Sequence, residues 1–385
     1  MEQRLTIGMA HYNDFDGVFF TIQDIRKELI FNKRYDLLNK IEFLIVENNP
    51  TSKHAEEVKS LKHNVRNLRI IDFPEIVGTS ASRNKVIEEA TGNFVLVLDC
   101  HVLLCPVVDT LDKLFQFMEY NADSNDLFAG PLVHDSLVEF STHFNDSWGG
   151  QMWGQWGSAW ECMCEAANFS LVNDNGKCKF ISLEKQEKLE QCVYCSRDFP
   201  KGLDWSGHVN LLKNEGYSQI GGSPATKPFE IFAQGLGLFL TRKNSWLKFN
   251  EHTRGFGGEE CYIHEKYRKE GRKVYNLPFL RWLHRFGRPN GADFPISAEN
   301  KVRNYLLEFI ELGLDLEPVR KHFIEEQGFS GVEFDNILQQ VHKIYNKSDK
   351  GSSGSNEQIL KQILHLKSKL PKNLQAELNK LTVEK

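Results

Sequence analysis

No stretch of this chain approaches the ~20 consecutive apolar residues that a membrane-spanning helix needs. Its amino terminus, MEQRLTIGMA, lacks a signal-peptide profile. Both absences lead to the expectation of a cytoplasmic protein with no membrane span. Strong charge of either sign is also missing. Lys and Arg number 47 against 52 Asp and Glu, a formal net charge of −5, which gives no global attraction to nucleic acid or to an anionic membrane and leaves only local basic patches open. The eight cysteines in 385 residues are too few and too unevenly spread for a disulfide scaffold. Five of them fall between Cys162 and Cys195, and such clustering in a reducing compartment points to metal before disulfides. The rest of the composition, 41% hydrophobic and 26% charged, suits a soluble globular protein of one large domain with an appendage, or of two domains.

The first hundred residues alternate strand and helix patterns. Strands are predicted over Leu5–Ala10, Ile41–Val46, Leu68–Asp72 and Phe94–Leu98, with helices to about Phe31, near Ser52–Leu61 and over Ser82–Ala90. Thr79 or Ser80 can cap the last helix and Gly92 is placed to stop it. This alternation predicts a parallel, doubly wound sheet. With strand order 3-2-1-4, the loop His11-Tyr12-Asn13-Asp14 and the pair Asp99/His101 face each other across the crevice at the switch point. No G-x-G-x-x-G follows the first strand, which argues against an ordinary dinucleotide site. In an extended chain Asp99 and His101 point to one side and Cys100 to the other, so a carboxylate and an imidazole form two adjacent sites of a divalent-metal shell. A surface turn is the alternative.

The segment from Ser82-Arg83-Asn84 through Asn93 to Asp99-Cys100-His101 resembles the core of nucleotide-sugar glycosyltransferases with the GT-A fold, especially family 2. Its Asp-x-His is similar to that of polypeptide N-acetylgalactosaminyltransferases. The resemblance implies that His11, Tyr12, Asn13, Glu47 and Arg83 hold the nucleotide, and that Asp99 and His101 hold a metal bridging its diphosphate.

Residues 135–227 read as an irregular insertion. Four tryptophans, Trp148, Trp153, Trp156 and Trp160, are separated by glycines that make a poor helix and a poor regular strand. Trp153, Trp156 and Trp160 are candidates for stacking on an acceptor, the alternative being a loop with its own small core. Cys192-Val193-Tyr194-Cys195, followed by His208, resembles three ligands of a two-Cys, two-His zinc finger. No fourth ligand lies beyond His208, so Cys178, Cys164 or Cys162 would complete a structural Zn2+ site. Cysteines buried as small apolar residues are the alternative.

Gly257-Gly258 lead into a helix whose first turn carries Glu259 and Glu260, where unpaired amides favour ionised carboxylates. Such a carboxylate can take an acceptor proton or orient the acceptor, although glutamates are also common first-turn residues. Gly257–Glu260 resembles the Gly-Gly-Glu motif of galactosyltransferases and of the polypeptide enzymes, which places Glu260 where inverting families carry their base. The spacing of His284 after that helix is similar to that of the histidine completing the metal site in both. By this resemblance His284 is the third ligand of Mn2+ or Mg2+, and Arg285 and Arg288, with Arg281, neutralise phosphate.

The expected fold class is α/β: a GT-A catalytic domain over 1–295, with a nucleotide-binding half (1–105), the aromatic and Cys-rich insertion (135–227) and an acceptor and metal half (228–295). A helical extension (296–346), a flexible linker (347–356) and a helical tail (357–385) follow, the tail packing on the body, docking a partner or mediating oligomerisation. The expected activity is sugar transfer from a nucleotide-sugar donor, a UDP-sugar first among them, to a saccharide hydroxyl. The alternatives are a hydroxymethylated pyrimidine in phage-type DNA as acceptor, and a non-catalytic binding module on a degenerate scaffold.

Overall fold

The structure is a computed structural model and describes residues 4–105, 109–137, 139–150, 152–205, 220, 222–287, 291–292 and 294–348. Strands β1 (Leu5–His11), β2 (Ile41–Glu47), β3 (Leu68–Asp72) and β4 (Phe94–Asp99) are parallel and lie in the order 3-2-1-4. Along β4, Phe94, Leu96 and Leu98 enter one core with Val18, Ile22 and Ile25 of the helix Phe15–Phe31, while Val95 and Val97 enter another with Val86, Tyr262 and Ile263. Burial on both faces is why β4 is an unbroken apolar run. In register, Ala10 pairs with Asp99 and His11 with Glu47, so the apolar runs end together at one edge of the sheet.

The helix Thr79–Glu89 departs from the expected capping. Gly78 holds the N-cap position without a side-chain bond, and Thr79 instead donates its hydroxyl to Glu259 Oε1 at 2.7 Å. Gly92 does stand close behind the helix end, where a Cβ would lie 2.5 Å from the Thr6 backbone nitrogen.

Beyond β4 come β5 (Val102–Leu104), β6 (Leu127–Ala129), β7 (Leu132–Val133) and β8 (Phe140–Ser141). The insertion follows with β9 (His143–Gly149), β10 (Met152–Cys162), β11 (Asn168–Asp174), β12 (Lys177–Ser182) and β13 (Gly222–Pro224). These five make an antiparallel sheet, in which β10 pairs with β9, β11 and β13. This corrects the expectation of an irregular tryptophan stretch: Trp148 lies on β9, and Trp153, Trp156 and Trp160 lie on β10, the strand that pairs with three others. Two of its glycines serve a bulge and a crowded contact. Gly154, at φ +111, sits at the register shift opposite β9 with Phe144 against it, and a Cβ on Gly157 would lie 2.4 Å from Asn145 Nδ2.

The last strands are β14 (Phe229–Glu230), β15 (Leu238–Arg242), β16 (Val274–Asn276) and β17 (Trp282–His284). With β6, the first three extend the main sheet beyond β4 to eight strands, ordered β14-β16-β6-β15-β4-β1-β2-β3. A four-stranded sheet, β5-β17-β7-β8, sets His284 opposite Val102 and so carries His284 to the edge where β4 ends. The helices Ala298–Leu312 and Gly331–Ser348 share a core with Phe144 and Trp153 of the insertion. The expected linker from residue 349 and the tail lie outside the described residues, as do His208 and Arg288. Among the described residues no helix is long and apolar enough to cross a membrane.

Candidate active site

A cavity of about 480 Å³ opens at the carboxyl ends of β1 and β4, the switch point of the winding, and its size suits a small-molecule ligand. Asp99, His101 and His284 meet on its wall, and one ligand atom of each lies within 4.8 Å of the others. The two Nε2 atoms are 3.0 Å apart, and His284 Nε2 is 3.6 Å from Asp99 Oδ2. Cys100 is not part of the cluster, its thiol donating to the Ala10 carbonyl.

Two charged groups that touch this cluster fix its geometry. Asp14 Oδ2 lies 2.8 Å from His101 Nδ1, and Asp14 Oδ1 accepts from Arg285 at 2.9 Å. With Nδ1–H donated to Asp14, a neutral His101 would have its Nε2 lone pair available to a metal. Burial opposes the Asp14 charge, but the His101 hydrogen bond and charge, with Arg285, outweigh it and hold the carboxyl well below its usual range. Arg83, 4% exposed, donates to Asp99 Oδ1 at 2.8 Å and to Glu259 Oε1 at 3.3 Å. Burial also opposes the Asp99 charge, and Arg83 with the two imidazoles overcomes it, so Asp99 is ionised at any ordinary pH.

The donor set fits a divalent cation of the Mn2+ or Mg2+ type: one carboxylate, two imidazole lone pairs and an open cavity beside them. A glycine keeps this arrangement possible. A Cβ on Gly237 would lie 2.6 Å from Trp282 Cζ3 and 3.4 Å from Asp99 Oδ2. Gly237→Ala is therefore expected to displace the Trp282 ring, cost about 1–3 kcal/mol and weaken Mn2+ binding several-fold. Urea denaturation and Mn2+ titration would read it, and wild-type values in both would show that the ring yields freely.

The two glutamates divide sharply. Gly258, at φ +107, caps the helix Glu259–Lys269, a backbone angle open mainly to glycine. Glu259 is 1% exposed and turns inward, accepting from Thr79, Arg83 and the Gly257 amide. The expectation that it positions an acceptor is corrected: its oxygens are engaged in fixing Arg83 and the helix start. Glu260 faces the cavity. Burial, then the Glu259 charge beside it, push its carboxyl up to about 8, against Arg83 and Lys301.

Other expected residues separate in the same way. Tyr12 and Arg285 line the cavity, whereas Asn13 accepts from the Asn49 side chain at 3.0 Å. His11 also borders the cavity, but it is wholly buried: the Asp14 amide donates to its Nε2 at 3.0 Å, and its Nδ1 lies 2.5 Å from buried Glu47. Glu47 thus orients His11 instead of reaching a ligand. Of the tryptophans, Trp156 lines the cavity against Phe144, with ring centroids 4.3 Å apart. Trp160, 0% exposed, belongs to the core of the insertion, and Trp153 is sealed between Phe232 and Phe309 with its indole donating to Asp146. Neither has a ring face left for an acceptor, which corrects their assignment. Residues the sequence did not single out are Asp14 as the partner of His101, and Phe144, Phe256 and Phe294 on the cavity wall. Asp14 was legible only as part of a polar loop, because its partner is 87 residues away.

In the insertion, Cys162, Cys164, Cys192 and Cys195 bring their sulfurs within 4.8 Å of one another. Cys178 is not among them, since its thiol points to the Asp204 carbonyl at 3.5 Å. Among the described residues, both Cys162 and Cys164, and not only one of them, join Cys192 and Cys195, while His208 lies outside the described residues.

A parallel sheet wound 3-2-1-4 with these groups at its switch point is the GT-A architecture. GalNAc-T7, whose crystal structure holds UDP, GalNAc and Mn2+, shares the fold with a TM-score of 0.50 and 13% identity, over 80% of this chain and 47% of that one. Residues 6–148 match the model of glycosyl transferase family 2. An uncharacterized glycosyltransferase, MJ1057, of Methanocaldococcus jannaschii is 30% identical over 126 residues, 32% of this chain and 40% of the relative. The chain thus spans well under half the length of that relative.

Proposed function

We propose that the protein is a metal-dependent glycosyltransferase that moves a sugar from a nucleoside-diphosphate donor to an acceptor hydroxyl. The observation that carries this reading is the convergence of Asp99, His101 and His284 in a cavity whose wall also bears Glu260. Asp99 and the two imidazoles would hold Mn2+ or Mg2+, which supplies charge neutralisation for the leaving diphosphate. The loop after β1 and Arg285 bind the nucleotide side of the donor, a UDP-sugar first among candidates. Glu260, ionised, accepts the acceptor proton as that oxygen bonds to the anomeric carbon and the carbon–diphosphate bond breaks. Displacement in one step inverts the anomeric centre. Arg83 and Asp14 position the ligands from behind.

A saccharide is the favoured acceptor. Trp156, Phe144, Phe256 and Phe294 give the cavity the aromatic wall that a sugar ring's C–H face packs against. The filled metal, base and arginine positions argue against a degenerate scaffold.

The test is to incubate purified protein and Mn2+ with a panel of labelled sugar nucleotides, adding oligosaccharides or hydroxymethylated-pyrimidine DNA. Transfer to an oligosaccharide with release of nucleoside diphosphate is expected, and Asp99→Ala should abolish it. Transfer to DNA alone would replace the acceptor assignment, and absence of both binding and turnover with every donor would end the enzymatic reading.

A further inference from the structure

The cysteine cluster lies in the insertion, away from the residues that line the cavity, and glycosyl transfer does not explain it. Cys162 ends β10, and Cys164 follows in a turn closed by the Glu165 amide donating to the Cys162 carbonyl at 2.7 Å. Cys192 and Cys195 flank a second turn, closed by the Ser196 amide donating to the Cys192 carbonyl at 3.0 Å, with Ser196 at φ +56. The sulfurs of Cys162 and Cys195 are 3.9 Å apart, those of Cys164 and Cys192 3.8 Å. A tetrahedral zinc with Zn–S bonds of about 2.3 Å sets its sulfurs about 3.8 Å apart, whereas a disulfide needs about 2.05 Å. All four cysteines are free.

We propose that Cys162, Cys164, Cys192 and Cys195 bind a structural Zn2+ that fastens the turn 192–195 to the end of β10. Four thiolates close the coordination sphere and leave no position for substrate, as in structural zinc sites. Two negative charges in excess remain on such a centre, and the surroundings answer them. Arg197 donates to Cys162 Sγ at 3.1 Å, and the Tyr194 and Cys195 amides are directed at the Cys192 sulfur. Packing points the same way. Phe169, Phe180 and Phe199 form the small core beside the cluster, and a core of that size commonly needs a metal or disulfide to hold it. The all-thiolate set is soft where the Asp99 site is hard to borderline, so the two centres select different ions.

The experiment is elemental analysis of the whole chain after gel filtration in a mild chelator. One zinc per chain is expected, retained when Mn2+ and Mg2+ are removed. The double variant Cys192→Ser/Cys195→Ser should hold roughly ten-fold less zinc or lower, and Cys178→Ser should keep it at the wild-type level. Replacing zinc with Co2+ should give the visible absorption of tetrahedral cobalt thiolate. Wild-type protein expressed with zinc yet metal-free, with the four cysteines titrating as thiols or disulfide-linked, would overturn the proposal. Iron in place of zinc, or equal zinc loss in Cys178→Ser, would do the same. The wild-type measurement stands even if the double variant fails to fold.

Discussion

Asp99→Asn is expected to lower turnover by about three to four orders of magnitude, because a metal acting as Lewis acid contributes several kcal/mol of charge stabilisation and each 1.36 kcal/mol is about ten-fold in rate. The same substitution strikes the fold. Arg83 is buried and shares its charge between Asp99 and Glu259, so removing one carboxylate leaves the guanidinium half-compensated. A loss of about 1–3 kcal/mol in stability follows, below the 3–5 typical of stranding a buried charge outright, because Glu259 remains. His284→Ala separates the two effects. It removes a ligand and leaves the Arg83 pairs whole, so turnover should fall comparably at near wild-type stability. Thermal unfolding with Mn2+ provides the check. An ion at one hundred times its Kd stabilises by about 2.7 kcal/mol, and both variants should lose that increment. Full Mn2+ stabilisation in His284→Ala would remove this residue from the metal site and with it the three-ligand reading.

The parts of this site that were legible in the sequence share one property: their signal is local. β4 announced itself because a strand buried on both faces is a continuous apolar run, and Asp99 and His101 stood out because polarity begins abruptly where β4 ends. Gly257-Gly258 marked the helix start, since positive φ at its cap demands glycine. What stayed hidden depends on partners distant in the chain. Glu259 and Glu260 look equivalent as neighbours, yet one turns onto Arg83, 176 residues away, and the other onto the cavity. The tryptophan run misled because its glycines looked incompatible with a regular strand. Two of them, Gly154 and Gly157, are demanded by Phe144 and Asn145 on the neighbouring strand, contacts that no spacing within the run reveals. The cysteines were legible only in part: the spacing within Cys192–Cys195 is local, while Cys162 at the end of β10 and Cys164 in the turn after it lie 28 or more residues earlier in the chain.

Glu260→Gln should reduce kcat by about 10² to 10⁴, the usual share of a positioned base, and its pH behaviour distinguishes that role from a structural one. Burial and the Glu259 charge raise the Glu260 carboxyl from its ordinary 4.5 to about 8. A base must be ionised to act, so kcat/KM for the wild type should climb about ten-fold per pH unit below that value and level off above it. The glutamine variant should lose this limb. Stability runs the opposite way. Between pH 4.5 and about 8 the folded protein keeps on Glu260 a proton that the unfolded chain has released. The unfolded state therefore binds fewer protons, and stability declines as pH rises through that window. Glutamine cannot ionise, so Glu260→Gln should flatten this decline and be more stable than the wild type near pH 8 while being the poorer catalyst. Urea denaturation at pH 6 and pH 8 reads the first difference, and initial rates across the same range read the second. If the variant kept both the activity limb near pH 8 and the wild-type fall in stability, the titrating base would have to be another group, and the role assigned to the Gly-Gly-Glu helix would go with it.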